Sequence, residues 1–277
     1  MRSVRLAVSD AELNVVVAGE GPAVVLLHGW PHTSYLWHRV IPPLARHHLV
    51  LAPDLRGLGA SEPTADGRDA GTLAADVVQL LDTLEIAEAA VVAIDAAVPP
   101  GFLAALRYPD RVSQLVLMEG ILPGVAGAEN FAPPWWFGFH SVPGLAETVL
   151  LGNEAEYLDW FLTGPSVRRD IGADARDNFV AAYTGQDALR AGFDLYREAD
   201  GNAAQLRETL TTTRLTVPTL AISGGVVGDA IHSQLVAIAD DLTLTCVPDC
   251  GHIIPLEQPA ALAAAIASFL ARQYTGG

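Results

Sequence analysis

The sequence contains no lysine, so all 16 of its basic side chains are arginines. Against them stand 32 aspartates and glutamates, which give the chain a formal net charge of −16 at pH 7. Nucleic acids and anionic membrane surfaces bind proteins through clustered positive charge. The charge balance therefore argues against both classes of partner. The absence of lysine is typical of a GC-rich genome and indicates nothing about mechanism.

Cysteine is also scarce, with only Cys246 and Cys250 near the carboxyl end of the chain. A disulfide framework would need more cysteines, so this pair favours a reducing compartment. Residues 1–14 lack the continuous apolar run of a signal peptide. We therefore expect a cytoplasmic protein.

The most apolar long segment, residues 87–106, does not have the pattern of a membrane span. Asp95 lies in its middle, and Pro99 and Pro100 follow. A charge at bilayer depth is costly, whereas a buried parallel strand that leads into a helix produces the same apolar run. The segment therefore predicts a strand–helix junction.

Short β-rich runs alternate with longer amphipathic segments along most of the chain. The predicted strands are residues 23–27, 49–52, 90–94, 115–118, 219–222 and 242–247, and the predicted helices include 72–84, 101–108 and 259–274. Alternation of this kind, with fully apolar strands, predicts an α/β fold with a mostly parallel sheet covered by helices on both faces. A chain of 277 residues, 51% of them hydrophobic, is long enough to bury a large core.

The alternation stops after residue 118 and resumes at residue 217. The intervening segment has tryptophans, turn prolines and helical stretches such as 153–162 and 173–183. An insertion between two strands must leave and re-enter at the edge where the strands end, which is the catalytic edge of such folds. We therefore predict a core domain of residues 1–121 and 216–277, with a helical lid of residues 122–215.

A tight turn with an acidic apex stands at the predicted strand–helix junction, in Ala93-Ile94-Asp95-Ala96-Ala97. A nucleophile elbow turns so sharply that the residues two before and two after the nucleophile must be very small, and alanines fill those places. In isolation, the pattern fits an aspartate that caps a helix better than a nucleophile. Two further motifs favour the nucleophile: His28-Gly29-Trp30-Pro31 after an early strand and Gly251-His252 after the last strand.

These motifs, in this order, resemble the epoxide hydrolase and dehalogenase branch of the α/β-hydrolase fold, and the resemblance covers nearly the whole chain. Further matching segments are Asp54-Leu55-Arg56-Gly57-Leu58-Gly59-Ala60-Ser61, Arg107-Tyr108-Pro109-Asp110-Arg111-Val112, and two lid signatures, Trp135-Trp136-Phe137-Gly138-Phe139-His140 and Arg190-Ala191-Gly192-Phe193-Asp194-Leu195-Tyr196-Arg197. The resemblance implies an α/β-hydrolase fold with a helical lid inserted between two late strands. It also implies Asp95 as nucleophile and His252 as general base, with no metal and no cofactor.

The resemblance leaves two positions for the acid that steadies the base. Glu119 directly follows the predicted strand 115–118, and in related enzymes the acid can also follow the next strand. In the loop after that next strand, valine stands at the expected place and Asp229 is displaced from it. Glu119 is therefore the favoured acid, with Asp229 as the alternative.

The resemblance also implies that the lid supplies hydrogen-bond donors to the oxygen that leaves a ring-opened epoxide. Tyr196 matches the lid tyrosine of the family, and Tyr183 is a second candidate. Trp135 and Trp136 stand where relatives carry a polar and aromatic pair. We expect donors from this set to stabilise the developing alkoxide.

The backbone N–H groups of Trp30 and Ala96 are expected to hold an oxyanion in the second half of the reaction. Ala96 is also a departure from the family, because haloalkane dehalogenases of this type bind the departing halide with a tryptophan at that place. Fluoroacetate-type relatives carry arginines there, whereas residues 96–99 have no charge. Phe137 and its aromatic neighbours predict a bulky, apolar or aromatic small-molecule substrate.

We therefore expect a cofactor-independent hydrolase that opens an epoxide to a vicinal diol through an alkyl ester of Asp95. One alternative is a haloalkane-type dehalogenase with the same nucleophile. Another is a catalytically inactive α/β-hydrolase fold that binds a small molecule. A serine esterase is disfavoured because the elbow has no serine. The sequence allows a homo-oligomer without identifying one.

Overall fold

A single sheet of eight strands runs through residues 1–272, the part of the chain that the computed structural model describes. The strands are β1 (Arg2–Val8), β2 (Ala11–Ala18), β3 (Ala23–Leu27), β4 (Leu49–Pro53), β5 (Ala89–Ile94), β6 (Val112–Met118), β7 (Thr219–Ser223) and β8 (Leu242–Cys246). Their order across the sheet is β1-β2-β4-β3-β5-β6-β7-β8. Strands β3 to β8 run parallel, while β2 pairs antiparallel with β1 and β4.

The predicted α/β class is confirmed, and each of the six predicted strands is present with its ends shifted by at most three residues. The β1–β2 hairpin was not predicted. Its first strand is largely exposed, so it lacks the continuous apolar run that marks the buried strands β3 and β5. A half-exposed antiparallel pair gives a weaker sequence signal than a parallel strand that is covered on both faces.

Helices cover the two faces of the sheet and its carboxyl edge. They are α1 (Ile41–Leu44), α2 (Ala70–Thr83), α3 (Val98–Arg107), α4 (Trp135–Ser141), α5 (Leu145–Leu150), α6 (Glu154–Leu162), α7 (Ala173–Ala182), α8 (Gln186–Arg197), α9 (Ala199–Leu210), α10 (Ala230–Leu235), α11 (Ile254–Glu257) and α12 (Pro259–Leu270). Within the described residues, no helix has the length and apolarity that crossing a membrane requires.

Two predicted helix starts are corrected by the structure. Helix α2 begins at Ala70, before the predicted residue 72, because the Asp69 side chain accepts hydrogen bonds from the first-turn N–H groups of Gly71 and Thr72. Helix α3 begins at Val98, before residue 101, because proline is compatible with a first turn. Part of the predicted terminal helix, up to Tyr274, and the last five residues of the predicted core domain lie outside the described residues.

The segment between β6 and β7 contains α4 to α9, at the place where the sequence predicts an insertion. A chain of ion pairs joins it to the loop before α2. The Asp194 carboxylate lies 3.1 Å from Nη1 of the buried Arg68 and 2.8 Å from Nη1 of Arg197. Arg197 also lies 2.7 Å from the buried Glu147. The insertion is therefore anchored beside the carboxyl ends of the strands.

Candidate active site

The elbow predicted around Asp95 is present at the end of β5. Asp95 begins a short 3-10 turn, Asp95–Ala97, that leads directly into α3. Its φ angle of 57° is a left-handed conformation that residues other than glycine rarely adopt. The turn is close, because a Cβ atom on Gly101 would come within 2.8 Å of the Ala93 side chain. Small residues therefore allow the chain to reverse at Asp95.

The Asp95 carboxylate does not cap the helix that follows. The N-cap position of α3 is Ala97, and it has no side-chain cap. Instead, the Trp30 N–H donates to Asp95 Oδ1 at 2.9 Å, and the Ala96 N–H also bonds to the carboxylate. Any side chain on Gly29 would overlap the same carboxylate. The two backbone donors predicted for an oxyanion thus meet at Asp95.

His252 lies opposite Asp95, in the loop that follows β8. Its N–H donates to the Ser166 carbonyl oxygen at 2.8 Å, which fixes the backbone. The ring Nε2 atom lies 3.1 Å from Asp95 Oδ2, and Nδ1 lies 3.2 Å from Glu119 Oε2. The imidazole therefore bridges two carboxylates supplied by β5 and β6.

Glu119 is the acid that reaches His252. Its buried carboxylate also accepts hydrogen bonds from the N–H groups of Gly224 at 2.7 Å and Val227 at 3.0 Å. The loop after β7, which contains the alternative acid Asp229, thus holds Glu119 in place. The Asp229 side chain is 82% exposed and lies 3.3 Å from His232, away from the site.

Burial and charge have opposite effects on the pKa values of His252 and Asp95. Burial would lower the pKa of His252, but its hydrogen bonds and charge interactions with Asp95 and Glu119 raise it to about 10. Burial would raise the pKa of Asp95, but the hydrogen bond and charge of His252 and the Ala96 N–H lower it. The arrangement therefore favours an ionised carboxylate beside an imidazolium.

A cavity of about 600 Å³ opens above these residues, between the sheet edge and the insertion. Its walls are mainly apolar and aromatic. The lining residues are Trp30, Pro31, His32, Asp95, Ala96, Pro99, Glu119, Gly120, Ile121, Pro123, Phe131, Pro134, Trp136, Phe137, Trp160, Phe161, Pro165, Ser166, Leu195, Tyr196, Ala199, Asn202, Gly225, Val226, Val227 and His252. No arginine lines the cavity within the described part of the chain.

Tyr196 and Trp136 are the predicted lid donors that line this cavity. Burial, and then the negative charge of Asp95, raise the pKa of Tyr196 well above its ordinary value, so the phenol keeps its proton. Its hydroxyl has no hydrogen-bond partner among residues 1–272. The Tyr196 ring packs edge-on against Phe137, with ring centroids 5.0 Å apart. Tyr196 is therefore a free donor in the cavity.

The structure does not bring Trp135 or Tyr183 to the cavity, which corrects two expectations. Trp135 is 58% exposed, because adjacent residues on a helix point about 100° apart and Trp136 already faces the cavity. The Tyr183 hydroxyl is buried and donates to the His32 carbonyl oxygen at 2.9 Å. Tyr183 therefore stabilises the loop after β3.

A family model described as alpha/beta hydrolase fold matches residues 22–259 of the chain. The chain belongs to the α/β-hydrolase fold family. A soluble epoxide hydrolase of Corynebacterium sp. (strain C12) is 31% identical to it over 271 residues, which cover 91% of each chain. A haloalkane dehalogenase of Mesorhizobium japonicum is 27% identical over 281 residues, covering 96% of this chain and 90% of that protein.

The crystal structure of Cfl2 from Burkholderia cenocepacia superposes on this α/β-hydrolase with a TM-score of 0.91 and 33% identity. The match covers 97% of this chain and 95% of Cfl2. Similarity over nearly the full length to named epoxide hydrolases and dehalogenases confirms the predicted branch of the family and makes the chain an enzyme, a hydrolase.

Sequence reasoning missed several residues of this hydrolase that line the cavity, among them His32, Trp160 and Asn202. His32 directly follows the motif that contains Trp30, so its place in the chain was a usable signal. Burial lowers the pKa of His32 to about 3, and its ring nitrogens have no partner among the described residues. Trp160 lies on α6 and Asn202 on the largely polar α9, and the sequence does not reveal which face of either helix lines the cavity.

No group of three or more His, Cys, Asp and Glu side chains is arranged to hold a metal ion in the described part of this hydrolase. That the reaction needs neither metal nor cofactor stays a prediction.

Proposed function

We propose that this hydrolase opens an epoxide to a vicinal diol through a covalent ester of Asp95. The observation that carries the proposal is the contact of one imidazole, His252, with both Asp95 and Glu119 at the floor of an apolar cavity. The same cavity holds the unpaired hydroxyl of Tyr196. The name of the Corynebacterium relative, soluble epoxide hydrolase, supports the same reaction.

In the first step, an Asp95 oxygen attacks a ring carbon of the epoxide. A carbon–oxygen bond to Asp95 forms as the ring carbon–oxygen bond breaks, and the resulting alkoxide takes a proton from Tyr196. The Trp136 indole N–H is a second donor to the same oxygen. A carboxylate suits this attack because it is ionised at neutral pH and needs no base to activate it.

Formation of the ester removes the negative charge of Asp95 from the neighbourhood of His252. The pKa of the imidazolium then falls, and its extra proton can restore the Tyr196 phenol. Neutral His252, oriented by Glu119, becomes the base that takes a proton from water. Hydroxide adds to the Asp95 carbonyl carbon, and His252 returns the proton to the departing diol oxygen.

The oxyanion formed during this hydrolysis would be held by the backbone N–H groups of Trp30 and Ala96. Both already donate to the Asp95 carboxylate in the free enzyme. Loss of one oxyanion-hole donor in a serine protease costs about 2.7–4 kcal/mol of transition-state stabilisation. Because the donors are part of the folded backbone, they need no rearrangement when the charge develops.

The substrate is, in this proposal, uncharged, bulky and apolar or aromatic. An anionic substrate would meet two carboxylates and no arginine in the cavity lining within the described residues. Residues 122–215 would act as a lid, since the insertion forms one wall of the cavity. A cytoplasmic location stays a prediction, and the two free thiols of Cys246 and Cys250 are compatible with it.

A single turnover in heavy-oxygen water tests the covalent step. With enzyme in excess over a glycidyl ether, the first diol should carry no heavy oxygen, because its new oxygen comes from Asp95. Label should appear in Asp95 itself and be readable by peptide mass spectrometry. Complete labelling of the first diol would show that water attacks the epoxide directly.

A haloalkane-type dehalogenase is the second candidate, favoured by the Mesorhizobium relative and by the Trp136 and Tyr196 donors, which could also hold a halide. The alanine at position 96 disfavours it. Halide release from haloalkanes faster than diol formation from epoxides would select this reaction. A protein that only binds small molecules would keep its affinity for them after Asp95→Asn. It would turn over neither epoxides nor haloalkanes.

A further inference from the structure

Asn202 is a nearly buried polar side chain in the apolar wall of the cavity. It lies on α9, is 8% exposed and lines the cavity. Its Oδ1 atom accepts a hydrogen bond of 2.7 Å from the N–H of Ala70, the first residue of α2. Because an N–H group can only donate, the contacting amide atom must be oxygen. The orientation of the carboxamide is therefore fixed.

The NH₂ group of Asn202 then points away from Ala70 and has no acceptor among residues 1–272. A donor in an apolar wall gains from an acceptor there, because polar groups that lose contact with bulk water are usually hydrogen-bonded. Neighbouring lining residues on this side, Leu195 and Ala199, have no acceptor in their side chains. An acceptor for the Asn202 NH₂ group would therefore come from what fills the cavity, water or substrate.

We infer that Asn202 is a specificity-determining residue that binds an acceptor oxygen on the body of the substrate. Resting on the proposed function, this narrows the substrate class to uncharged epoxides whose apolar body carries a carbonyl group. A carbonyl fits because it accepts without charge, whereas a carboxylate would meet Asp95 and Glu119. Tyr196 and Trp136 serve the epoxide oxygen, so the two ends of the substrate have separate donors.

Two ligands of nearly equal shape test the inference without any turnover. 4-Propoxyacetophenone carries a carbonyl oxygen at the place where 4-propoxycumene carries a methyl group. Neither ligand has an epoxide. The affinity ratio of ketone to hydrocarbon, measured by calorimetry, cancels the effects of shape and of protein stability. We expect this ratio to fall about tenfold when the Asn202 donor is removed, because a tenfold change corresponds to the net free energy of about one hydrogen bond.

Asn202→Asp keeps an oxygen for the Ala70 N–H and exchanges the NH₂ donor for a second carboxylate oxygen, which also adds a negative charge. Asn202→Leu removes both contacts and serves as the second variant. Asn178→Asp is the matched control, since Asn178 is an exposed insertion residue whose Oδ1 accepts from Thr33 and which does not line the cavity. The control should keep the wild-type ratio.

An unchanged ratio in folded Asn202→Asp and Asn202→Leu would overturn the inference, as would a wild-type protein that binds no ketone. Turnover of 4-acetylphenyl and 4-isopropylphenyl glycidyl ethers separates the two proposals. A ketone preference without diol formation contradicts only the proposed function. If both ethers are converted to diols and the ketone-to-hydrocarbon affinity ratio does not change on substitution of Asn202, only the specificity role is contradicted.

Discussion

The Nε2 atom of His252 lies 3.1 Å from Oδ2 of Asp95. On its other side the imidazole contacts Glu119, so a partly buried cation lies between two carboxylates. Loss of either negative charge must lower the pKa of the imidazole, because burial alone disfavours its charged form. In the proposed reaction, the ester on Asp95 removes one charge at the moment when a base is needed.

Replacement of Asp95 by asparagine should therefore lower the pKa of His252 from its raised value near 10. A group whose folded pKa exceeds its unfolded value of about 6.5 stabilises the fold fully below that pH. This contribution is lost as the pH rises toward 10 in the wild type. In Asp95→Asn, we expect the titration of the His252 ring resonances, followed by NMR, to shift to lower pH. The loss of unfolding free energy between about pH 6.5 and 10 should also be smaller than in the wild type. An unshifted imidazole titration would contradict the electrostatic coupling.

His252→Gln should stop the reaction after ring opening. Asp95 keeps its charge and the lid donors remain, so the ester forms, while its hydrolysis should slow by about 10²–10⁴-fold without a base. Intact-mass spectrometry should then show one substrate added per chain. The adduct should be absent from the double variant with Asp95→Asn, and the surface variant His47→Gln should turn over normally. Free His252→Gln protein after incubation with a reactive epoxide would count against covalent catalysis.

Glu119→Gln and Asp229→Asn form a matched pair, because each replaces a carboxylate by its amide at one of the two positions considered for the acid. Only Glu119 contacts His252. We expect kcat to fall by roughly 10²-fold or more in Glu119→Gln, since the imidazole loses its orienting charge, and to stay unchanged in Asp229→Asn. Thermal unfolding of both variants controls for the loss of a Glu119 contact to the β7 loop. Equal activities would place the acid elsewhere.

Tyr196→Phe and Tyr183→Phe should separate catalysis from stability. Tyr196→Phe removes a donor to the leaving oxygen, so ester formation should slow by about 10²–10³-fold. Tyr183→Phe removes the buried hydrogen bond to His32 and should cost about 0.5–1.5 kcal/mol of unfolding free energy, with little effect on ester formation. Stopped-flow measurement on the His252→Gln background follows this step alone. The reverse pattern would assign the donor role to Tyr183.

The elbow and the residues facing it were predictable because each follows a strand of the parallel part of the sheet. The carboxyl ends of such strands meet at one edge, so Asp95, Glu119 and His252 had to converge once the strands were identified. The choice between Glu119 and Asp229 as the acid depended on the path of the loop after β7. That loop turns its backbone N–H groups toward Glu119, a detail that residue types alone do not encode.

The insertion was predicted less well because its helices have polar residues on several sides. Two adjacent tryptophans cannot both face one cavity, yet the sequence gives no rule for choosing between Trp135 and Trp136. Asn202 lies in a helix with a largely polar composition that resembles a solvated surface. Its position in the cavity follows from the contact with Ala70, between residues 132 positions apart in the chain.

The aromatic walls of the cavity also bear on what happens after the reaction. An epoxide has one weakly hydrated oxygen, whereas a vicinal diol has two hydroxyl groups that bind water strongly. An apolar enclosure offers few partners to replace that water, so it retains the reactant better than the product. The same walls thus bind the epoxide more tightly than the diol. Accumulated product should therefore inhibit the enzyme only weakly.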